Sequence, residues 1–310
     1  MLFACLDSLH SAMRYATSCK WSVTVSCQDP SDQVFAARVR SQFPLVRIIA
    51  SDPTPDNLNG HSRVLGRSRA RYVWLLNDDV VFLAGAIEKI TTFMDRPENA
   101  RVALVGPQML NPDGLPAPSG YAFPSMRQIL LEQAGAGRLS EAGASRRHGL
   151  PQVLPLAPRV RVRAADRATE VDTLPSACFA VRMRAIRQTG LMNDQEALDG
   201  AEKEWHRRFK DNGWKVVLLS DASVIDYGIQ SARTGSGHIQ PEKLRAAVYF
   251  FRTGPRPAMF RIFCASILAI TGARAAIGWV RRDRSDVQAA GRHARVAWEG
   301  LTQRKPEQQI

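Results

Sequence analysis

The chain has 310 residues, 45% hydrophobic and 23% charged, a make-up that suits a globular protein able to bury a full core. Its 42 Lys and Arg against 29 Asp and Glu leave a net charge of +13, which favours anionic partners such as nucleotides, nucleic acid or an acidic membrane face. The five scattered cysteines form no CxxC pair, which argues against a disulfide framework or a zinc site and suits a reducing cytoplasm.

Taken in order, residues 1–16 read as a helix with Leu2, Phe3, Leu6 and Leu9 on one side, too acidic and too short in its apolar part for a signal peptide. Residues 21–26 (WSVTVS) are a short strand, 33–43 a helix and 45–50 another strand. Pro, Asn and Gly make 52–66 a loop leading into a short Arg-rich helix. The run YVWLL at 72–76 is a strand, followed by a helix carrying Ile87, Ile90, Phe93 and Met94 and a strand at 102–106. Asn111-Pro112-Asp113-Gly114 is a turn, and residues 135–167, rich in Ala, Gly, Pro and Arg, read as a surface excursion. Residues 169–182 return to strand character, 201–213 are helical and 214–219 form a strand. Alternation of this kind predicts βαβ units and a mostly parallel central sheet flanked by helices, an α/β class. Beyond Ser231 the chain turns basic and helical, with amphipathic helices at 241–251 and 259–280. The longest apolar run, 262–280, is interrupted by Arg274 and reads as a buried or interfacial helix rather than a membrane span.

The most informative segment is Val73-Trp74-Leu75-Leu76-Asn77-Asp78-Asp79-Val80-Val81-Phe82. An apolar run that stops at an amide and two acids reads as a buried central strand of a parallel sheet, with those residues at its C-terminal tip, where open α/β sheets bind ligands. Such oxygen donors, with no His or Cys beside them, suit a hard ion such as Mg²⁺ or Mn²⁺ gripping a diphosphate. The competing reading is an Asn-Asp turn that caps the following helix.

Four features then recur in order: Leu76-Asn77-Asp78-Asp79; Val105-Gly106-Pro107 with the turn to Gly114; Val171-Asp172 through Ser176-Ala177-Cys178 to Arg182; and Glu202-Lys203-Glu204-Trp205-His206-Arg207-Arg208 leading to Gly213-Trp214. This order resembles the family 2 glycosyltransferases of the GT-A fold, particularly their rhamnosyltransferase-like branch, over residues 2–232. The resemblance implies a GT-A domain over 1–230 and a basic helical region over 231–310. It implies that Asn77, Asp78 and Asp79 occupy the metal and nucleotide motif, with Mg²⁺ or Mn²⁺ as cofactor. Glu202 falls on the general base of inverting enzymes and Glu204 on the second acid of that motif. Ser176 and Ala177 fall on the loop against donor and acceptor sugars, and Trp205 is a candidate to stack on a sugar if exposed. A UDP- or dTDP-sugar donor and a polysaccharide or lipid-linked glycan acceptor follow.

Three departures accompany this. The family's opening strand has no counterpart, so the sequence starts late, either downstream of the true start or by erosion. The aspartate that contacts the base is replaced within Ser26-Cys27-Gln28-Asp29-Pro30-Ser31, leaving Asp29 or Asp32 as substitutes. The histidine near metal and diphosphate is Asp226, which can ligate a hard ion but repels an uncoordinated diphosphate. A catalytically inactive GT-A partner in glycan assembly is therefore the alternative. From residue 229 on, Lys and Arg outnumber Asp and Glu fourteen to five, which suggests peripheral contact with an anionic membrane on its cytoplasmic face. Nucleic acid is not expected as a partner, since no helix-turn-helix, zinc or RNA-binding signature is present.

Overall fold

The computed structural model describes residues 1–16, 19–27, 33–50, 64–134, 167–193, 198–228, 240–282 and 284–302. Asp29, Asp32, most of the loop expected at 52–66, the excursion at 135–166 and the expected domain boundary near 230 lie outside these residues.

Helix α1 (Leu2–Met13) buries Cys5, Leu6, Leu9 and Ala12, the spacing of one helix face. Strands β1 (Thr24–Cys27) and β2 (Arg47–Ala50) pair in parallel across helix α2 (Gln33–Gln42), and Leu6, Val39, Phe43 and Val46 form the core beneath them. The main sheet contains β3 (Tyr72–Leu76), β4 (Val80–Phe82), β5 (Val102–Leu110), β6 (Ala168–Val171), β7 (Cys178–Arg182) and β8 (Lys215–Asp226). Its order is β3-β7-β5-β8-β4. Strand β8 is long enough to pair with β6 along residues 216–219 and with β4 along 224–226.

This sheet is mixed. Within it β5 and β8 pair in parallel, and every other pairing is antiparallel. The expectation of mostly parallel pairing assumed a helical crossover between successive strands. Strand β3 instead runs straight on to β4 through Asn77–Asp79, and β6 to β7 through 172–177, connections too short for a crossover. The single strand expected over 169–182 is divided there, where Pro175 offers no backbone N–H to a ladder. Strands β3, β5 and β8 still share one direction, so their C-terminal ends line one edge.

Both faces are covered. Helix α3 (Ala86–Asp95) buries Ile87, Ile90 and Met94 against Val105, Met109 and Val217. After α4 (Met126–Gln133) and α5 (Met183–Thr189), helix α6 (Leu198–Asp211) puts Trp205 and Phe209 against Leu104, Phe179 and Val216 on the other face. Three C-terminal helices follow, α7 (Pro241–Arg252), α8 (Pro257–Val280) and α9 (Arg284–Thr302). They make a core of their own with α4, built on Ile129, Leu244, Phe260, Phe263, Ile267 and Val296. Gly200 joins the two regions: a Cβ there would stand 2.9 Å from the Ala246 backbone, so α6 and α7 approach as closely as a glycine permits.

Candidate active site

Strand β3 ends at Leu76 as expected and Asn77 begins the turn to β4, but β3 is not a buried central strand: it ends the strand order, opposes β7 and buries only Leu75. Its N–H donates to the Ala177 carbonyl at 2.9 Å, directly beyond the last ladder pair, Leu76 with Cys178. The strand tip and the Ser176–Ala177 loop are therefore side by side. On the other side of the turn Val80 pairs with Asp226, and the Tyr227 N–H donates to the Asp79 carbonyl at 3.1 Å. Two carboxylates far apart in sequence thus share the C-terminal edge of the sheet.

Gly228 shows how closely they converge. A Cβ on it would lie 2.5 Å from Asp79 Oδ2 and 3.2 Å from Asp226 Oδ1, and its own N–H donates to Asp226 Oδ1 at 2.8 Å. Asp79 Oδ1 is buried and accepts no hydrogen bond among the described residues. Burial raises the Asp79 carboxyl above its ordinary range, and the Asp78 charge adds to this. Like charges drawn together with a buried oxygen unsatisfied are the arrangement that a hard cation relieves. No group of three or more His, Cys, Asp or Glu suited to a metal occurs among the described residues. The two carboxylates that converge on Gly228 fit an ion of the Mg²⁺ type, which is held by one or two carboxylates and completed by phosphate oxygens and water. Asn77 and Asp78 are exposed on the same turn.

Two thiols lie behind this edge. Burial pushes the Cys5 thiol up to about 11, with the charges of Asp78 and Asp79 adding, and Cys5 Sγ sits 3.7 Å from the Asn77 carbonyl. Cys178 is fully buried and raised well above its ordinary value by that burial, with Cys5 and Asp226 contributing. With no exposed surface, Cys178 is a packing residue.

Helix α6 separates the two acids of the motif. Residues two apart on a helix point to nearly opposite sides, so Glu202 and Glu204 cannot share a face. Both are buried. Glu204 faces α5: Arg208 Nε lies 2.9 Å from its Oε1 and donates to Oε2 at 3.0 Å, while the same guanidinium donates to the carbonyls of Thr189 and Leu191. Burial raises the Glu204 carboxyl, and Arg208 and then Arg207 act against that shift.

Glu202 stands one turn before His206, on the same face. His206 is fully buried, and its Nδ1 is 2.7 Å from Thr173 Oγ1, on the loop that leads to Ser176 and Ala177. This face of α6 therefore lies against the loop whose far end touches Asn77. Trp205 is wholly buried, packs at a tilt against the Phe209 ring and donates through Nε1 to the Gly190 carbonyl. Trp214 is buried as well, so the exposure that sugar stacking requires is met by neither indole.

Sequence reasoning left Gly228 and His206 without roles. The available signal for Gly228 was a glycine two residues past a strand-end carboxylate, the position where a side chain would strike that carboxylate. His206 offered only a lone helical imidazole. Burial lowers it to about 3, far below its usual 6.5. Because the unfolded chain takes up that proton first, this site's contribution is complete above pH 6.5 and is lost as pH falls from there toward about 3. Glu132, raised to about 7 by burial, acts in the opposite direction as pH rises from 4.5. Urea unfolding of wild type beside His206→Asn isolates the histidine: wild type should lose up to about 1.4 kcal/mol more per pH unit through the acid range. Equal slopes in the two proteins would show that His206 is accessible to protons.

No family model matches this chain, and no curated protein matches it in sequence. Among solved structures it is similar to GalNAc-T7, crystallised with UDP, GalNAc and Mn²⁺, at a TM-score of 0.50 and 10% identity over 77% of this chain and 45% of that one. The fold is GT-A. The chain spans less than half the length of GalNAc-T7. A mannosyltransferase from Pyrobaculum calidifontis, solved with GDP-Man and Mn²⁺, aligns over 96% of this chain and 84% of its own at a TM-score of 0.46 and 9% identity.

Proposed function

We propose that the protein is a metal-dependent inverting glycosyltransferase that uses a nucleoside-diphosphate sugar. The observation that carries this reading is the convergence of Asp79 and Asp226 on Gly228, with one Asp79 oxygen buried and unsatisfied. Asp79 and Asp226 would hold Mg²⁺ or Mn²⁺, with Asn77 and Asp78 on the same strand tip. The ion supplies charge neutralisation to the leaving diphosphate. That GalNAc-T7, similar in fold, was solved with Mn²⁺ and UDP agrees with this choice.

The protein's own residues supply position and proton transfer. The loop at Ser176–Ala177, fixed to Asn77 by its backbone hydrogen bond, forms the wall between the diphosphate edge and α6. Glu202, buried on the face of α6 that meets this loop, removes the acceptor hydroxyl proton. The oxygen then bonds to the anomeric carbon as the bond to the diphosphate oxygen breaks on the opposite side, which inverts the configuration. Glu204 is committed to Arg208 and holds α6 to α5. Asp29 or Asp32 would meet the base. UDP and dTDP are the expected nucleotides, and a rhamnosyl or hexosyl group on a polysaccharide or lipid-linked acceptor, on the cytoplasmic side of the membrane, completes the reading.

One observation favours a second reading, a non-catalytic GT-A partner. A carboxylate at Asp226 adds a negative charge beside the diphosphate edge. The discriminating experiment supplies a panel of UDP-, dTDP- and GDP-linked sugars with hydroxyl acceptors and Mn²⁺, and follows release of the nucleoside diphosphate. Turnover that requires Mn²⁺ establishes the transferase. Binding of nucleotide without turnover for the whole panel supports the partner.

A further inference from the structure

Helix α8 buries Phe260, Phe263, Cys264, Ile267, Thr271 and Gly278 on one side, against α9 and the helical core. The opposite side carries Ala258, Ile262, Ala265, Ala269, Ala273, Ala276 and Val280, repeating every three or four residues, and all are exposed. Ile262 is 66% exposed and Val280 75%, and beside them Trp279 is 78% exposed. The one hydroxyl bordering this stripe, Ser266, donates to the Ile262 carbonyl at 2.9 Å and so has no need of water. Helix α8 is apolar along its length, and little of it is buried. By length and composition the helix passes as a membrane span, beyond what the interruption at Arg274 suggests, because Arg274 turns to the inner side and donates to the Gln133 carbonyl.

The helix has no acid, and its ends are basic. Arg256 and Arg261 lie at the start and Arg281, Arg282 and Arg284 just past the end, all of them exposed. This rules against pairing with a second α8. Parallel or antiparallel, two copies would bring arginines to arginines at both ends, a destabilising arrangement. An anionic surface meets both ends favourably. A span across the bilayer is equally at odds with the packing, since the side bearing Phe260, Phe263 and Ile267 is fixed to the helical core.

We infer that the exposed face of α8 lies in the headgroup region of an anionic phospholipid bilayer, with the helix axis along the membrane plane. The helix is about 36 Å long at its usual rise, long enough to set the molecule's orientation on the surface. Trp279 sits at the level where indoles prefer to reside in a membrane. The flanking arginines reach the phosphates while the alanine stripe and Ile262 enter the acyl boundary. This placement does not depend on the transferase reading. Where that reading holds, it brings the site to the surface that carries lipid-linked acceptors.

Co-sedimentation of the full chain with phosphatidylglycerol/phosphatidylcholine vesicles tests the inference, beside vesicles of phosphatidylcholine alone and the double variant Ala269→Glu with Ala273→Glu. These positions face away from the core, so the variant should melt like wild type. Binding should require the anionic lipid, fall with added salt, and weaken about tenfold or more in the variant. The Trp279 fluorescence, read as the difference from Trp279→Phe, should shift to the blue with vesicles. Equal binding to neutral vesicles, or no binding, would overturn the anionic surface. A lipid-free dimer in sedimentation velocity that Ala269→Glu dissociates would assign the face to a second copy. Protein released from membranes only by detergent would overturn the in-plane placement.

Discussion

Glu202→Gln should lower sugar transfer by about two to four orders of magnitude while leaving nucleoside diphosphate binding unchanged, the signature of a lost general base. The substitution keeps the size of the side chain and removes its ability to take a proton. Glu202 is buried one turn from His206, on the face of α6 that meets the Thr173–Ala177 loop. It lies on a different face from Glu204, so the neighbouring acid cannot replace it. Glu204→Gln should reduce activity only so far as it loosens α6. If both variants lost transfer equally, or Glu202→Gln lost nucleotide binding as well, the assignment of the base to Glu202 would fail.

Arg208→Met should destabilise the fold by about 3–5 kcal/mol, the usual cost of leaving one member of a buried ion pair uncompensated. The two side chains are only 12% and 4% exposed, so solvent screens the pair little. Three groups lose their donor at once: the Glu204 carboxylate and the carbonyls of Thr189 and Leu191. Without the guanidinium, burial drives the Glu204 carboxyl further above its unfolded value. The variant is then penalised most at neutral pH and recovers as pH falls, because the folded state binds the extra proton. Urea titrations of both proteins at neutral and mildly acid pH measure the deficit and its shrinkage. A loss below about 1 kcal/mol would show that the pair behaves as a surface bridge.

Much of this was legible in the sequence for identifiable reasons. The apolar run ending at Asn77-Asp78-Asp79 made a strand with its tip at the C-terminal edge legible, but not its place: β3 ends the strand order and buries only Leu75. The α/β class and the helical C-terminal region followed from hydrophobic spacing, which local chemistry decides. Strand direction did not follow, because it depends on which distant strand each one meets. Strand β7 lies between β3 and β5 and opposes both, a fact no spacing within CFAVR reveals. The meeting of Asp79 with Asp226 follows from no spacing either; the family resemblance implied it, and the pairing of Val80 with Asp226 makes it. The resemblance puts Glu204 on the second acid of its motif, and Trp205 was a stacking candidate only if exposed; the helix turns them to an ion pair and to the core. Arg274 was read as breaking an apolar run, although folding turns it inward to the Gln133 carbonyl and leaves an uncharged face outside.

The most direct test is calorimetric titration of the protein with UDP and dTDP, each with and without Mn²⁺, for wild type and Asp79→Asn. Binding that requires Mn²⁺ and vanishes in Asp79→Asn is the predicted result, since the variant removes the charge while keeping the shape beside Gly228. Nucleotide binding that ignores the metal, or that survives unchanged in Asp79→Asn, would contradict a donor site built on Asp79 and Asp226.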